Sequence, residues 1–251
     1  MVMVDGGRDA GHMSRQTALV TGANKGIGLE IARGLGLRGW SVGVGARSEA
    51  GRDEAVRKLQ ADGIDAFGVP LDVTDDASVT AAARVLDERG RLDALVNNAG
   101  TTGGPTQPAT QLSIEVFRAA VETNVFGTVR VTNALLPLLR KSPHPRIVNM
   151  SSGVGSITLQ QDPAAPTGPI SAAYAPSKSM LNAVTVQYAK ELEGSGVLVN
   201  VACPGFVSTA MNGFSGHRTP EQGAAIAIRL ATLADDGPSG GFFHDDGTYP
   251  W

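Results

Sequence analysis

The chain has 251 residues, 42% of them apolar and 18% charged, with a formal net charge of −3. That balance excludes a disordered polyelectrolyte and gives no basis for nucleic-acid binding, while the length suffices for one large α/β domain or two small ones. Four scattered histidines and a single cysteine, Cys203, exclude an intrachain disulfide and offer no zinc or iron–sulfur ligand spacing.

Residues 1–14 lack the apolar core of a signal peptide, and no later apolar run reaches the length of a bilayer span, so the expectation is a cytoplasmic protein with no membrane partner. This segment has almost no apolar periodicity, and Gly11-His12-Met13 reads as a cloning scar; it is expected to be disordered and is left out of the fold. From Thr17 onward, short apolar runs alternate with longer amphipathic stretches. The runs predict strands at Thr17–Thr21, Ser41–Ala46, Ala66–Leu71, Ala94–Asn97, Arg146–Met150 and Val197–Ala202, with a weaker one near Gly241–His244. Between them Ile27, Ile31 and Leu35, then Ala55 and Leu59, then Val79, Ala83 and Leu86 recur at helical spacing. The apolar series from Ser113 to Leu139 predicts one long helix, stopped by Pro143 and Pro145. The longest irregular stretch, Gly153 to Ser171, holds Pro163, Pro166 and Pro169. The pattern predicts a single α/β domain over 15–251: a doubly wound, Rossmann-type parallel sheet of about seven strands with helices on both faces.

Directly after the first predicted strand comes Thr21-Gly22-Ala23-Asn24-Lys25-Gly26-Ile27-Gly28, leading into the first helix. Glycines permit a tight turn and close backbone approach, and a helix N-terminus offers free N–H groups to a pyrophosphate, so this context points to dinucleotide binding rather than an ordinary βα turn. The second strand ends at Ala46-Arg47, where an NAD enzyme usually places a carboxylate. Arg47, with Lys25 in the loop, can pair with a 2′-phosphate, which points to NADPH; Glu49, two residues on, is the rival ribose ligand that favours NAD.

Tyr174 and Lys178 in Tyr-Ala-Pro-Ser-Lys fall one helical turn apart on one face. Such a pair is usually a solvated surface pair. Here it follows a strand ending Asn149-Met150-Ser151-Ser152, at the end of the sheet where a nucleotide would present its reactive ring.

These residues, with Asn97-Asn98-Ala99-Gly100, Asn124 in Thr-Asn-Val-Phe-Gly and Pro204-Gly205 after the sixth strand, occur in the order of the short-chain dehydrogenase/reductase family, which the chain resembles from about Ser14 to its end. Lys25 and Arg47 narrow the resemblance to NADPH-dependent carbonyl reductases. It implies hydride transfer to a ketone or aldehyde, with Tyr174 as proton donor. In that role a nearby Lys178 ammonium would depress a phenol pKa of about 10 and bond the nicotinamide ribose. Ser152 would hold the carbonyl oxygen, although strand alternation alone does not choose it over Ser151. Asn124 would order a water linking Lys178 to solvent. The nucleotide contacts implied are Gly22, Asn24, Lys25, Gly26, Ile27, Gly28 and Arg47; Asp72 and Val73 at the adenine; Asn97, Ala99 and Gly100 under the ribose; and Pro204, Gly205, Val207 and Thr209 at the nicotinamide end.

Ser152 and Tyr174 are 22 positions apart, which exceeds the usual family separation. The extra residues around Asp162–Ile170 resemble the insertion of monomeric carbonyl reductases, which covers the Tyr/Lys helix, so a monomer or homodimer is expected rather than a tetramer. Met211 and Phe214 either line a pocket for a hydrophobic carbonyl or join the core. His217 reads as a surface residue. Phe242, Phe243, Tyr249 and Trp251 edge either the pocket or an interface. Two alternatives stand beside the reductase: a nucleotide-sensing regulator without turnover, and an alcohol dehydrogenase working mainly in the oxidative direction.

Overall fold

A computed structural model of the chain describes residues 15–251 apart from 166 and 169. The expected disorder of residues 1–14, and Pro166 and Pro169, lie outside the described residues.

The strands are β1 (Thr17–Thr21), β2 (Ser41–Ala46), β3 (Ala66–Pro70), β4 (Ala94–Asn97), β5 (Arg146–Met150), β6 (Leu198–Ala202), β7 (Phe242–His244) and β8 (Gly247–Thr248). They form one sheet in the order β3-β2-β1-β4-β5-β6-β7-β8. All neighbours pair in parallel except β7 and β8, which are antiparallel. The sheet thus has eight strands rather than seven, because two-residue β8 folds back on β7 and is too short to leave a period in the sequence. The strand order reverses between β1 and β4, opening a crevice at their carboxyl ends.

Alternation along each strand feeds a core on both faces. On β1, Ala18 and Val20 join α1 (Gly26–Gly36), α2 (Glu49–Ala61) and α8 (Pro220–Ala231), whereas Leu19 joins α3 (Asp76–Asp87), α5 (Gly127–Leu139) and the far end of α7 (Tyr174–Glu191). Side-chain caps fix where helices begin: Ser48 for α2, Asp75 for α3, and a Thr219/Gln222 capping box for α8.

The expected long helix is not uniform. Ser113 caps α4 (Ile114–Val121), a π turn follows at Glu122–Phe126, and α5 continues from it. The wide turn contains Asn124, and such turns gather at functional sites. Helical spacing survives one inserted residue, so the sequence did not reveal it.

Candidate active site

A cleft of about 970 Å³ opens at the carboxyl ends of the strands, and its wall includes the glycine loop, Arg47, Asp72, Ala99, Tyr174, Lys178, Pro204 and Thr209. In the loop Gly22 and Gly26 adopt left-handed backbone conformations (φ +64° and +57°). A Cβ on Gly28 would lie 2.5 Å from both Asn98 Nδ2 and Gly22 O, so this turn closes only around a bare α-carbon. Lys25 begins α1 in extended conformation without a side-chain cap, which leaves the first N–H groups of the helix to the cleft. Left-handed glycines, a bare approach and an uncapped helix start fit a bound dinucleotide. Asn24, Lys25, Ile27 and Val73 line the same end.

Lys25 and Arg47 are exposed there. Arg47 lies 3.9 Å from Asp72, with its side chain 75% exposed and so free to turn toward a ligand. The rival Glu49 does not reach the cleft wall; it sits in the first turn of α2, 4.0 Å from Arg52. Although burial opposes it, hydrogen bonds from the Thr74 hydroxyl and N–H, with Arg47 and Arg130 nearby, hold the Asp72 carboxyl below its usual range.

Beneath the ribose position, the expected Asn97 points into the sheet, donating to Thr132 Oγ1 (3.1 Å) and Asn149 Oδ1 (2.8 Å). Its neighbour Asn98 meets the glycine loop instead, with Nδ2 bonded to Thr21 O (2.8 Å) and Gly22 O (3.2 Å), and it lines the cleft. Gly100 lies close to both Asn124 Oδ1 and Lys178 Nζ, which a Cβ there would approach to 3.4 and 3.7 Å.

Tyr174 opens α7 and lines the cleft. One turn on, Lys178 is 4% exposed, with Nζ donating to Met150 O (2.7 Å) and 5.5 Å from the Tyr174 ring centroid. The phenol is hydrogen-bonded to Ser152. Ser151 also lines the cleft, but it is 2% exposed with its hydroxyl turned toward Gly155, so the serine bonded to Tyr174 is Ser152. Asn124 and Val207 are buried, whereas Ser152 is half-buried and Gly205 exposed beside the cleft.

The expected depression of the Tyr174 pKa is not found. Burial, aided by Cys203, pushes the phenol well above its ordinary value, and the Ser152 hydrogen bond opposes this only in part. Burial also brings Lys178 down to about 8, against a smaller opposing effect of Cys203. Desolvation penalises both charged forms, and the Lys178 ammonium is already spent on a carbonyl.

Asn124 is 1% exposed and fully engaged: Oδ1 accepts from Thr101 N (2.8 Å), while Nδ2 donates to Thr101 O (2.9 Å) and Ser177 Oγ (2.8 Å). It therefore clamps the segment after β4 to the first turn of α7. Its carbonyl accepts from Thr128 Oγ1 (3.1 Å).

On the opposite wall Gly205 is left-handed (φ +75°), buried Val207 packs over Gly223, and Thr209 faces Gly26. Met211 and Phe214 are 48% and 68% exposed and line the cleft, so they belong to the pocket and not the core. His217 sits against Phe206. Between Ser152 and the insertion, Gly155 O accepts from Asn182 of α7 (3.1 Å), whereas α6 (Ile157–Gln161) bonds through Thr158 to Trp251, and Met180 of α7 stays 39% exposed. Thr101, Thr102 and Ser208 also line the cleft and carried no distinguishing signal in the sequence; Asn98 was visible only as the second residue of an Asn-Asn pair.

The family model for short chain dehydrogenases matches residues 16–219. The chain is a short-chain dehydrogenase/reductase. It is 38% identical over 231 residues to short-chain dehydrogenase anuI of Penicillium roqueforti, covering 88% of this chain and 90% of that one. It is 35% identical to carbonyl reductase [NADPH] 1 of Mus musculus, covering 95% and 99%. Among solved structures, the NADPH-bound carbonyl reductase from chicken fatty liver superposes on this dehydrogenase/reductase with a TM-score of 0.83 at 28% identity, covering 95% of this chain and all of that one. Among the described residues no helix is long and apolar enough to cross a membrane.

Proposed function

We propose that this oxidoreductase reduces a hydrophobic ketone or aldehyde to its alcohol with NADPH, as a monomer or homodimer in the cytoplasm. The observation that carries this reading is the meeting of Tyr174, hydrogen-bonded to Ser152, with buried Lys178 in the same cleft as the glycine loop. The relatives named NADPH carbonyl reductases support it.

Gly22, Gly26, Gly28 and the α1 N-terminus would hold the pyrophosphate, and Lys25 and Arg47 the 2′-phosphate. When bound, NADPH supplies the hydride. Ser152 bonds the substrate oxygen and holds it against Tyr174, whose hydroxyl donates the proton as charge grows on that oxygen. The raised pKa of Tyr174 keeps it protonated and ready to donate. The Lys178 ammonium stabilises the phenolate left behind, and reprotonation runs along the Lys178 side. There Asn124 would order the water that links Lys178 to solvent. Met211 and Phe214 supply apolar surface for the substituents. A regulator without turnover would have no use for burying Lys178 beside Tyr174 at the cost of desolvating it.

A panel of ketones, aldehydes and quinones, followed by NADPH consumption, tests the reading. Carbonyl-dependent oxidation is expected; tight nucleotide binding with no accepted carbonyl would favour the regulator. Arg47→Ala is expected to lower the NADPH-to-NADH ratio of kcat/KM by about tenfold, the low end for a charge-assisted pair because the site is exposed. An unchanged ratio removes Arg47 from the 2′-phosphate site.

A further inference from the structure

The antiparallel return of β8 on β7 aims the last aromatics back at the active site. Tyr249 N donates to Phe242 O (2.8 Å), which sets the Tyr249 ring edge-on to Phe242 at 5.5 Å and flat on His244 at 4.2 Å. Trp251 also stacks on Phe242, centroids 5.6 Å apart. Phe242 is 1% exposed and provides a fixed platform.

Two contacts run from this platform to the segment that follows Ser152. Tyr249 Cε2 lies 3.7 Å from where a Cβ on Gly153 would stand. Trp251 O accepts from Thr158 N (3.2 Å) and Thr158 Oγ1 (2.7 Å). Thr158 is the second residue of α6, whose N–H has no partner inside the helix, so Trp251 O caps it from outside. α6 is thereby fastened from one side, with the Tyr249 ring beside Gly153, while Asn182 fastens Gly155 from the other.

The same hairpin holds the opposite wall. Its turn is bound to α8 by Arg229, which donates to His244 O (2.8 Å) and Asp245 O (3.0 Å). Asp245 pairs with Arg218. Arg218 closes the base of the loop carrying Met211 and Phe214, through Ser208 N to Arg218 O (2.8 Å) and Arg218 N to Phe206 O (3.2 Å).

We propose that Tyr249 and Trp251 are positioning residues for the carbonyl subsite: stacked on Phe242, they hold the Gly153–α6 segment, and through it Ser152, in register with the Met211/Phe214 loop. The inference rests on the carbonyl-reductase reading above. A small displacement of a positioning group can cost about a hundredfold in rate, so a brace outside the cleft wall has leverage on substrate binding.

Trp251→Ala, Trp251→Phe and Thr158→Val test it against wild type by steady-state kinetics on an accepted carbonyl, by NADPH titration and by amide hydrogen exchange. Trp251→Ala and Thr158→Val are expected to raise the carbonyl KM by about tenfold with a smaller change in kcat and an NADPH Kd within about twofold. They are also expected to speed exchange about tenfold in residues 154–161 while β1, β4 and β5 stay protected. Trp251→Phe, which keeps a ring on Phe242, is expected to restore both. Unchanged exchange and KM in Trp251→Ala and Thr158→Val overturn the proposal, as does faster exchange spread evenly over the sheet, the mark of a merely structural role. If wild type accepts no carbonyl, the reductase reading fails by itself, and the exchange pattern alone decides the brace.

Discussion

Tyr174→Phe is expected to lower kcat for carbonyl reduction by about a thousandfold while the NADPH Kd stays within about twofold. The substitution removes one oxygen and keeps the ring that lines the cleft. Among the described residues the bond lost is that to Ser152, whose hydroxyl can turn to another partner, so the fold should change by under about 1 kcal/mol. Its hydroxyl is the proton-bearing group at the carbonyl position, because burial keeps it protonated across the working range of pH. Single-turnover rates beside a nucleotide titration separate the two effects. Loss of NADPH binding in parallel with activity would instead mark Tyr174 as a structural or cofactor residue.

The second large effect belongs to Lys178. Its ammonium is the form that stabilises phenolate, and burial brings its pKa down to about 8. The reduction rate is therefore expected to be level below that pH and to fall on the alkaline side as the ammonium is lost. Lys178→Arg, which keeps its charge to beyond about pH 12, should remove that alkaline limb even if the longer, planar group lowers the rate. Lys178→Met should lower kcat by about a hundredfold or more at any pH. Stability should move the other way. A lysine depressed from 10.5 to about 8 opposes folding, fully so below pH 8 and progressively less as pH rises toward 10.5, because the unfolded chain binds the proton more tightly. Each pKa unit is about 1.4 kcal/mol, so Lys178→Met should melt at the same or a higher temperature than wild type at pH 7, despite leaving Met150 O without its partner. A wild-type alkaline limb that persists unchanged in Lys178→Arg would assign the titration to another group.

What the sequence revealed follows from where its signals come from. β1, β2, β4 and β5 have the expected bounds because strands buried on both faces read as unbroken apolar runs between polar ends. The glycine loop was legible because its chemistry is backbone chemistry, and a glycine with a neighbour 2.5 Å from its missing Cβ has no substitute. Features that depend on orientation were not legible. Asn97 and Asn98, like Ser151 and Ser152, differ only in which side of a strand end they face. The π turn at Asn124 leaves the helical spacing of its flanks intact. The rise of the Tyr174 pKa comes from burial, aided by Cys203 and opposed in part by the Ser152 hydrogen bond, and motif spacing does not encode its sign. Tyr249 and Trp251 were visible only as a local excess of aromatics; their contacts with Gly153 and Thr158 span about ninety residues and are set by the return of a two-residue strand.

The central claim is that a hydride reaches a carbonyl carbon while Tyr174 protonates the oxygen. Isotope transfer tests it most directly: NADPH carrying deuterium on one or the other face of nicotinamide C4, incubated with an accepted carbonyl, and mass spectrometry of the alcohol. The account predicts deuterium on the carbinol carbon from one of the two labels with wild type, and almost no alcohol with Tyr174→Phe. Alcohol free of deuterium from both labels, or full turnover by Tyr174→Phe, would contradict it.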